Sequence, residues 1–208
     1  MHKRAFFIGL TVILLFSAAS AQRAEVTVGL NEAFFDALLD SAFQNFEPPV
    51  FSILDEKRES CDESVTILRE MNGVRTAVRF REGKILVPLA FSGSYAPPFV
   101  GCVAFAGWAE TNIDLEFDQA GQKLIGRAHV LNVHLNGTGG IGGTIIAKLL
   151  QGSIDKKLNP IEIIRLDKLS FGVPLQNGGN LRMKATTVRP EVANGMLNIR
   201  VTFEFLKG

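Results

Sequence analysis

The stretch HLNGTGGIGGTIIAKLLQ, residues 134–151, decides between two classes of fold. Gly137, Gly139 and Gly142 stand at the G-x-G-x-x-G spacing. In a parallel βαβ unit that spacing turns a strand tightly into a helix and seats a pyrophosphate on the helix N-terminus. Such a site also needs a fully buried strand before the glycines and an acidic residue about 20 positions beyond them. Residues 123–135 are instead mixed in polarity and continue an alternating pattern that starts well upstream. The glycines are therefore read as backbone freedom where a sheet hands over to a helix, with no nucleotide and no other cofactor expected. Asn136-Gly137-Thr138 within the stretch is an N-glycosylation sequon, of consequence only in a eukaryotic source.

Downstream of the glycines, Ile141, Ile145, Ile146, Leu149, Leu150, Ile154 and Leu158 recur at helical steps. Lys156 and Lys157 suit the C-terminal dipole of that helix, and Asn159-Pro160 stops it. Upstream, Trp108, Ile113, Leu115 and Phe117 alternate with Asn112, Asp114, Glu116 and Asp118. In the next strand, Lys123 to Leu135, the apolar parity slips between Val130 and Leu131, which marks a bulge. Earlier still, Val65 and Ile67, then Val74, Val78 and Phe80 opposite Arg75, Arg79 and Arg81, then Ile85 to Phe91, repeat with period two. Asn72-Gly73 and Glu82-Gly83 are turn signals, so this is an antiparallel meander, interrupted by the loop or edge SYAPPFVGC, residues 94–102.

The chain's other helix lies before the meander. Leu30, Phe34, Phe35, Leu38, Leu39, Ala42, Phe43 and Phe46 form its stripe, Glu32, Asp36, Asp40 and Gln44 its polar side, and Pro48-Pro49 its end. The charged run DEKRESCDE, residues 55–63, reads as a solvated loop. Three strands close the chain, near Ile163 to Leu175, Leu181 to Val188 and Met196 to Phe205, the last preceded by the hairpin signal Ala193-Asn194-Gly195. The order is α+β, with one-sided sheets over two long amphipathic helices.

Residues 1–21 read as a cleavable signal peptide: a basic Lys3-Arg4, an apolar Ala5 to Phe16, and Ala19-Ser20-Ala21 as the peptidase site. The alternative is an uncleaved anchor. Residues 22–208 then form a single exported domain, periplasmic in a Gram-negative bacterium and extracellular otherwise. Without Lys3 and Arg4, 20 basic residues face 21 acidic ones, a net charge of −1 that gives nucleic acid no purchase. Cys61 and Cys102 are the only cysteines, and in an exported chain they read first as a disulfide, the alternative being two free thiols in a reducing compartment.

Catalytic signals are sparse. His129 and His134 are five apart on one strand, which places them on opposite faces and makes a metal site improbable. No G-x-S-x-G elbow is present, and the carboxylates Asp114 and Glu116 lie on a polar strand face. The reading is of a protein that is not an enzyme, with an unassigned secreted hydrolase as the remote alternative. The apolar content is what stands out: 16 of the 18 aromatic residues are phenylalanine.

Three segments carry a resemblance: VGLNEAFFDALLDSAFQNF (28–46), GGTIIAKLLQGSIDKKLNPIEI (142–163) and LRMKATTVRPEVANGMLNIRVTFEF (181–205). Their order resembles one module of the tubular lipid-binding (TULIP) superfamily, which includes the bactericidal/permeability-increasing proteins and small bacterial periplasmic relatives. The resemblance implies a curved, largely antiparallel sheet wrapped around two long amphipathic helices, and an apolar cavity between them that takes a lipid or other apolar small molecule, with transient membrane contact. Phe34, Phe35, Leu38, Leu39, Phe43, Ile145, Ile146 and Leu149 are the candidate lining residues. A single module favours a carrier, sensor or assembly factor over a bridge between membranes. The competing expectation is a structural or interaction protein of the envelope whose core is filled.

Overall fold

The structure, a computed structural model, describes residues 22–53, 61–97, 99, 101–136, 143–176, 178–193 and 195–207. The signal segment 1–21, the charged residues 55–60, the glycine stretch 137–142 with the fingerprint and most of the sequon, and Asn194 of the last hairpin lie outside the described residues.

Alternating apolar residues produce long antiparallel strands. A four-stranded small sheet has the order β1 (Arg23–Asn31), β13 (Met196–Lys207), β12 (Asn180–Ala193), β11 (Phe171–Pro174). A seven-stranded large sheet runs β10 (Ile161–Arg165), β9 (Lys123–Leu135), β8 (Val103–Asp118), β7 (Lys84–Tyr95), β3 (Ser64–Leu68), β2 (Val50–Ser52), with β6 (Arg79–Arg81) also on the edge of β7. A two-stranded hairpin, β4 (Glu70–Met71) and β5 (Val74–Arg75), fills the connection between β3 and β6. The helices are α1 (Glu32–Asn45), α2 (Gly143–Lys157) and the single turn α3 (Leu166–Leu169).

The expected fold class, with a sheet wrapped around two long helices, is not what forms. The molecule is mostly β, built of curled antiparallel sheets. α1 and α2 have 14 and 15 residues, which at about 1.5 Å per residue is less than half the length that the 16-residue β8 reaches at about 3.3 Å per residue. Strands set the dimensions, and the helices cover one face of the large sheet. The physical reason is where apolar burial occurs. One core cluster joins the two sheets through Leu124, Leu166, Ala185, Val188, Val201 and Phe203. A second joins Phe80, Ile85, Val87 and Leu197. Only the third, Ile53, Val65, Phe91, Ala109, Ile146 and Leu150, has a long helix among its buried members, and that helix is α2; α1 reaches the second through the partly buried Phe35. An amphipathic stripe of helical period shows that a helix covers something. It does not show that the helix is the centre.

Other expectations survive. The Asn72-Gly73 and Glu82-Gly83 turns have positive φ at both positions, as two-residue hairpin turns require. Leu197, Val201 and Phe203 of β13 point into the core. The bulge predicted at Val130/Leu131 is present: Glu110 faces Asn132 while Thr111 faces Val130, leaving Leu131 as the extra residue. It lets Val130 and Val133, three apart, both pack against the α2 cluster. The same bulge overturns the expected placement of the histidines. His129 pairs with Asn112 and His134 with Trp108, four apart on β8, so both lie on one outer face. Trp108 is on that face too, stacked on His134 with ring centroids 4.0 Å apart.

Two elements differ from expectation at the ends. β1 precedes α1, although the helical stripe reads from Leu30, and Asn31 caps the helix by accepting the Phe34 N–H at 2.9 Å. The predicted strand from Ile163 to Leu175 is broken by α3, whose Leu166 is buried between the sheets.

Candidate functional site: an apolar groove between two helices

α1 and α2 lie side by side on the same face of the large sheet, and two adjoining cavities occupy the space beneath them. The cavity under α2 has a volume of about 170 Å³. Leu150, Ser153, Ile154 and Leu158 form its helical wall. The cavity under α1, about 290 Å³, is walled by Leu39, Ala42, Phe43 and Phe46. Pro49, Ile67, Val87, Leu89 and Ile113 line both, so the two share one apolar floor and form a single groove.

The floor follows from strand alternation. Val87 and Leu89 of β7, Ile113 of β8 and Ile67 of β3 occupy odd positions that pleating turns toward the helices. The few polar residues in the walls are engaged by the protein itself. The Thr111 hydroxyl donates to the Val87 carbonyl at 2.6 Å, and Ser153 donates to the Leu149 and Ser52 carbonyls at 3.0 and 3.3 Å. Thr76 donates to the Leu68 carbonyl and accepts the Ala90 N–H. Glu47 is the one ionisable residue in the lining.

The predicted lining residues divide. Leu39 and Phe43 line the groove. Phe35 packs on Phe80 with centroids 5.7 Å apart, at the junction of the sheets. Ile146 is buried in the α2 cluster, with Leu149 packed against it. Phe34, Leu38 and Ile145 are 48, 53 and 55 % exposed and face away. The floor residues and Leu150, Ile154 and Leu158 complete the groove. Their alternation and helical stripe are visible in sequence, but which turn of α2 overhangs the floor is a tertiary fact.

The two helices are held differently. α2 is docked through side-chain amides. Where β10 stops, the free edge of β9 continues its ladder with Gln151 and Asn159: Val130 N–H donates to Gln151 Oε1 at 2.7 Å and Ala128 N–H to Asn159 Oδ1 at 2.8 Å. Asn159 Nδ2 returns a bond to the Ala128 carbonyl at 2.9 Å. Asp155 accepts from Asn159 and Gln151, and those two hydrogen bonds hold its carboxyl below the usual carboxylate range.

α1 has no buried residue; Phe35 near its N-terminus packs on Phe80, and along the rest of its length it is held by charge. Glu32, Asp36 and Asp40, one helical turn apart, meet arginines of the β3–β6 segment. Asp40 pairs with Arg69 at 2.7 Å and Arg75 at 2.8 Å, Asp36 with Arg79 at 3.1 Å, and Glu32 with Arg81 at 2.5 Å. The Phe80 N–H donated to Glu32, with Arg81 beside it, lowers that carboxyl, and the Arg69 hydrogen bond lowers Asp40.

Cys61 and Cys102 are disulfide-bonded, with Cα atoms 5.4 Å apart, tying the start of β3 to the start of β8. The bond fits an oxidising compartment, and among the described residues no helix is long and apolar enough to cross a membrane. Among the described residues no group of three or more His, Cys, Asp or Glu is placed to hold a metal ion. His129 sits 3.5 Å from Asp114 on the outer face, away from the groove. No protein-family model, no curated protein and no solved structure matches this chain, so its function rests on its own geometry.

Proposed function

We propose that the chain is an exported, non-enzymatic protein that binds a lipid or other apolar ligand in the groove between α1, α2 and the large sheet. The observation that carries this reading is the continuous apolar floor shared by two cavities whose wall hydroxyls, Thr76, Thr111 and Ser153, are already hydrogen-bonded within the protein. Taken together the cavities fall within the ~300–1,000 Å³ of ligand pockets. With the wall hydroxyls among the described residues already satisfied, affinity comes from hydrocarbon burial, about 0.8 kcal/mol per methylene. The ligand is therefore an acyl chain or comparable apolar body whose polar end stays at the mouth, near Glu47. Export by a signal peptide over residues 1–21, and kinship with tubular lipid-binding modules, belong to the same proposal.

A second reading, an envelope protein with an interaction role, draws on the exposed Phe34 and Leu38 of α1 and Val26 and Val28 of β1. Organic extraction of the purified protein followed by lipid mass spectrometry separates the two. Lipid at near-stoichiometric yield is expected. An extract free of lipid, together with no uptake of a neutral apolar probe by the protein, leaves the interaction reading as the better account.

A further inference from the structure

The geometry points to α1 as a hinged lid over the groove, latched by the carboxylate–arginine ladder, whose release admits the ligand. This inference rests on the apolar-groove reading and names how access to that groove is controlled.

Three observations meet in α1. Its inner side, Leu39, Ala42 and Phe43, closes the larger cavity, yet none of its residues is buried. Apart from Phe35, which packs on Phe80 near the β1 end, the apolar side of α1 faces a cavity and gains little from packing, because the atoms that would hold it are missing on one side. Beyond Phe35 its attachment is the ladder of Glu32, Asp36 and Asp40 against Arg69, Arg75, Arg79 and Arg81. Glu70 is the remaining charged group in the ladder, 3.9 Å from Arg75. The side chains in these pairs are 17 to 57 % exposed, so mobile ions reach them and screen them.

The second helix supplies the contrast. α2 buries Ile146, Leu150 and Ile154, and it bonds to the edge of β9 through neutral amides that salt does not screen. One wall of the groove is therefore fixed and the other is ionic. α1 is also tethered at both ends, independently of the ladder: β1 holds it through the nine paired residues of the small sheet, and Glu47-Pro48-Pro49 leads into β2 on the large sheet. Movement about these two ends lifts Leu39, Ala42 and Phe43 off the shared floor while both sheets stay paired.

Two measurements test this, both begun on the wild-type protein. Stopped-flow uptake of the neutral fluorophore N-phenyl-1-naphthylamine reads access to the groove, and hydrogen exchange with mass spectrometry reads the helices separately. Between about 0.02 and 0.5 M salt, uptake should accelerate roughly tenfold and the amides of α1 should exchange faster, while those of α2 stay as they are. The Asp36→Asn/Asp40→Asn variant should show the fast behaviour already at low salt, and Arg200→Gln, which breaks a pair with Glu191 on the small sheet, should show the wild-type behaviour. If the double variant does not fold, the salt series on wild type decides alone. Probe uptake and α1 exchange that are both indifferent to salt would overturn the lid and leave a groove with fixed walls. A wild-type protein that takes up no probe at either salt and yields no lipid on extraction would instead remove the groove reading itself.

Discussion

Thr76 sits at the edge of β7 between the stretch paired with β6 and the stretch paired with β3, beside the Ala77 N–H that donates to the Pro88 carbonyl. Its buried hydroxyl accepts the Ala90 N–H at 2.9 Å and donates to the Leu68 carbonyl at 2.6 Å, so one side chain continues the sheet across the gap. Thr76→Val keeps the shape and removes both bonds, leaving a buried N–H and a partly buried carbonyl without them. A loss of about 1–3 kcal/mol in urea unfolding is expected. Thr27→Val, on exposed β1, should stay within about 0.5 kcal/mol. Gly107 gives a second residue-scale case: a Cβ there would lie 2.0 Å from the His134 carbonyl, so β8 and β9 approach this closely only with glycine. Neither role is legible in sequence. A threonine after a turn and a glycine in a strand acquire their meaning only when the facing strand is in register.

At the scale of elements, the hairpins and the helix ends were readable because each is enforced locally. Asn72-Gly73 and Glu82-Gly83 need left-handed backbone, and prolines stop both helices wherever those helices happen to pack. The Leu131 bulge was readable because a parity slip has no other cheap resolution. β1 is hidden in the sequence because Leu30 serves two patterns, ending the alternation Ala24, Val26, Val28 and opening the helical stripe. Two of the eight candidate lining residues, Phe34 and Leu38, fall outside the groove for a similar reason, since the stripe of α1 is wider than the face it covers and both lie on its open side. The latch on α1 gives a pH dependence. Glu32, chiefly through the Phe80 N–H, and Asp40, chiefly through Arg69, have folded values below their unfolded ones. Their stabilisation is therefore present above the unfolded carboxylate values, about 4, and is lost as pH falls through the lower folded values. Urea midpoints measured from neutral pH downward should fall in that window, and Glu32→Gln should flatten part of the decline. A midpoint as steep in Glu32→Gln as in wild type would assign the acid sensitivity elsewhere, with Asp155 next in line.

For the whole molecule, two sheets and a disulfide provide the frame, and the helices are its cover. The Cys61–Cys102 bond spans 41 residues, and a crosslink of that length stabilises by about 4 kcal/mol in the chain-entropy model. Thiol labelling of denatured, unreduced protein should find no free thiol, and the Cys61→Ser/Cys102→Ser pair should lose about 2–5 kcal/mol. Whether the frame encloses working space or a packing fault is decided by filling it. Ala42 is half-buried on α1 and lines the cavity of about 290 Å³, so a phenyl ring placed there has room to point into the groove. Ala90 on β7 is wholly buried and lines neither cavity. If the groove is a ligand site kept open, Ala42→Phe should change stability by less than about 1 kcal/mol while Ala90→Phe, forced into close-packed surroundings, costs at least about 1–3 kcal/mol. Ala42→Phe should also carry less co-purified lipid than wild type, because the ring occupies space the acyl chain uses. If Ala42→Phe is as destabilised as Ala90→Phe, the space under α1 closes in solution, and the interaction reading, carried by the exposed Phe34, Leu38, Val26 and Val28, becomes the better account.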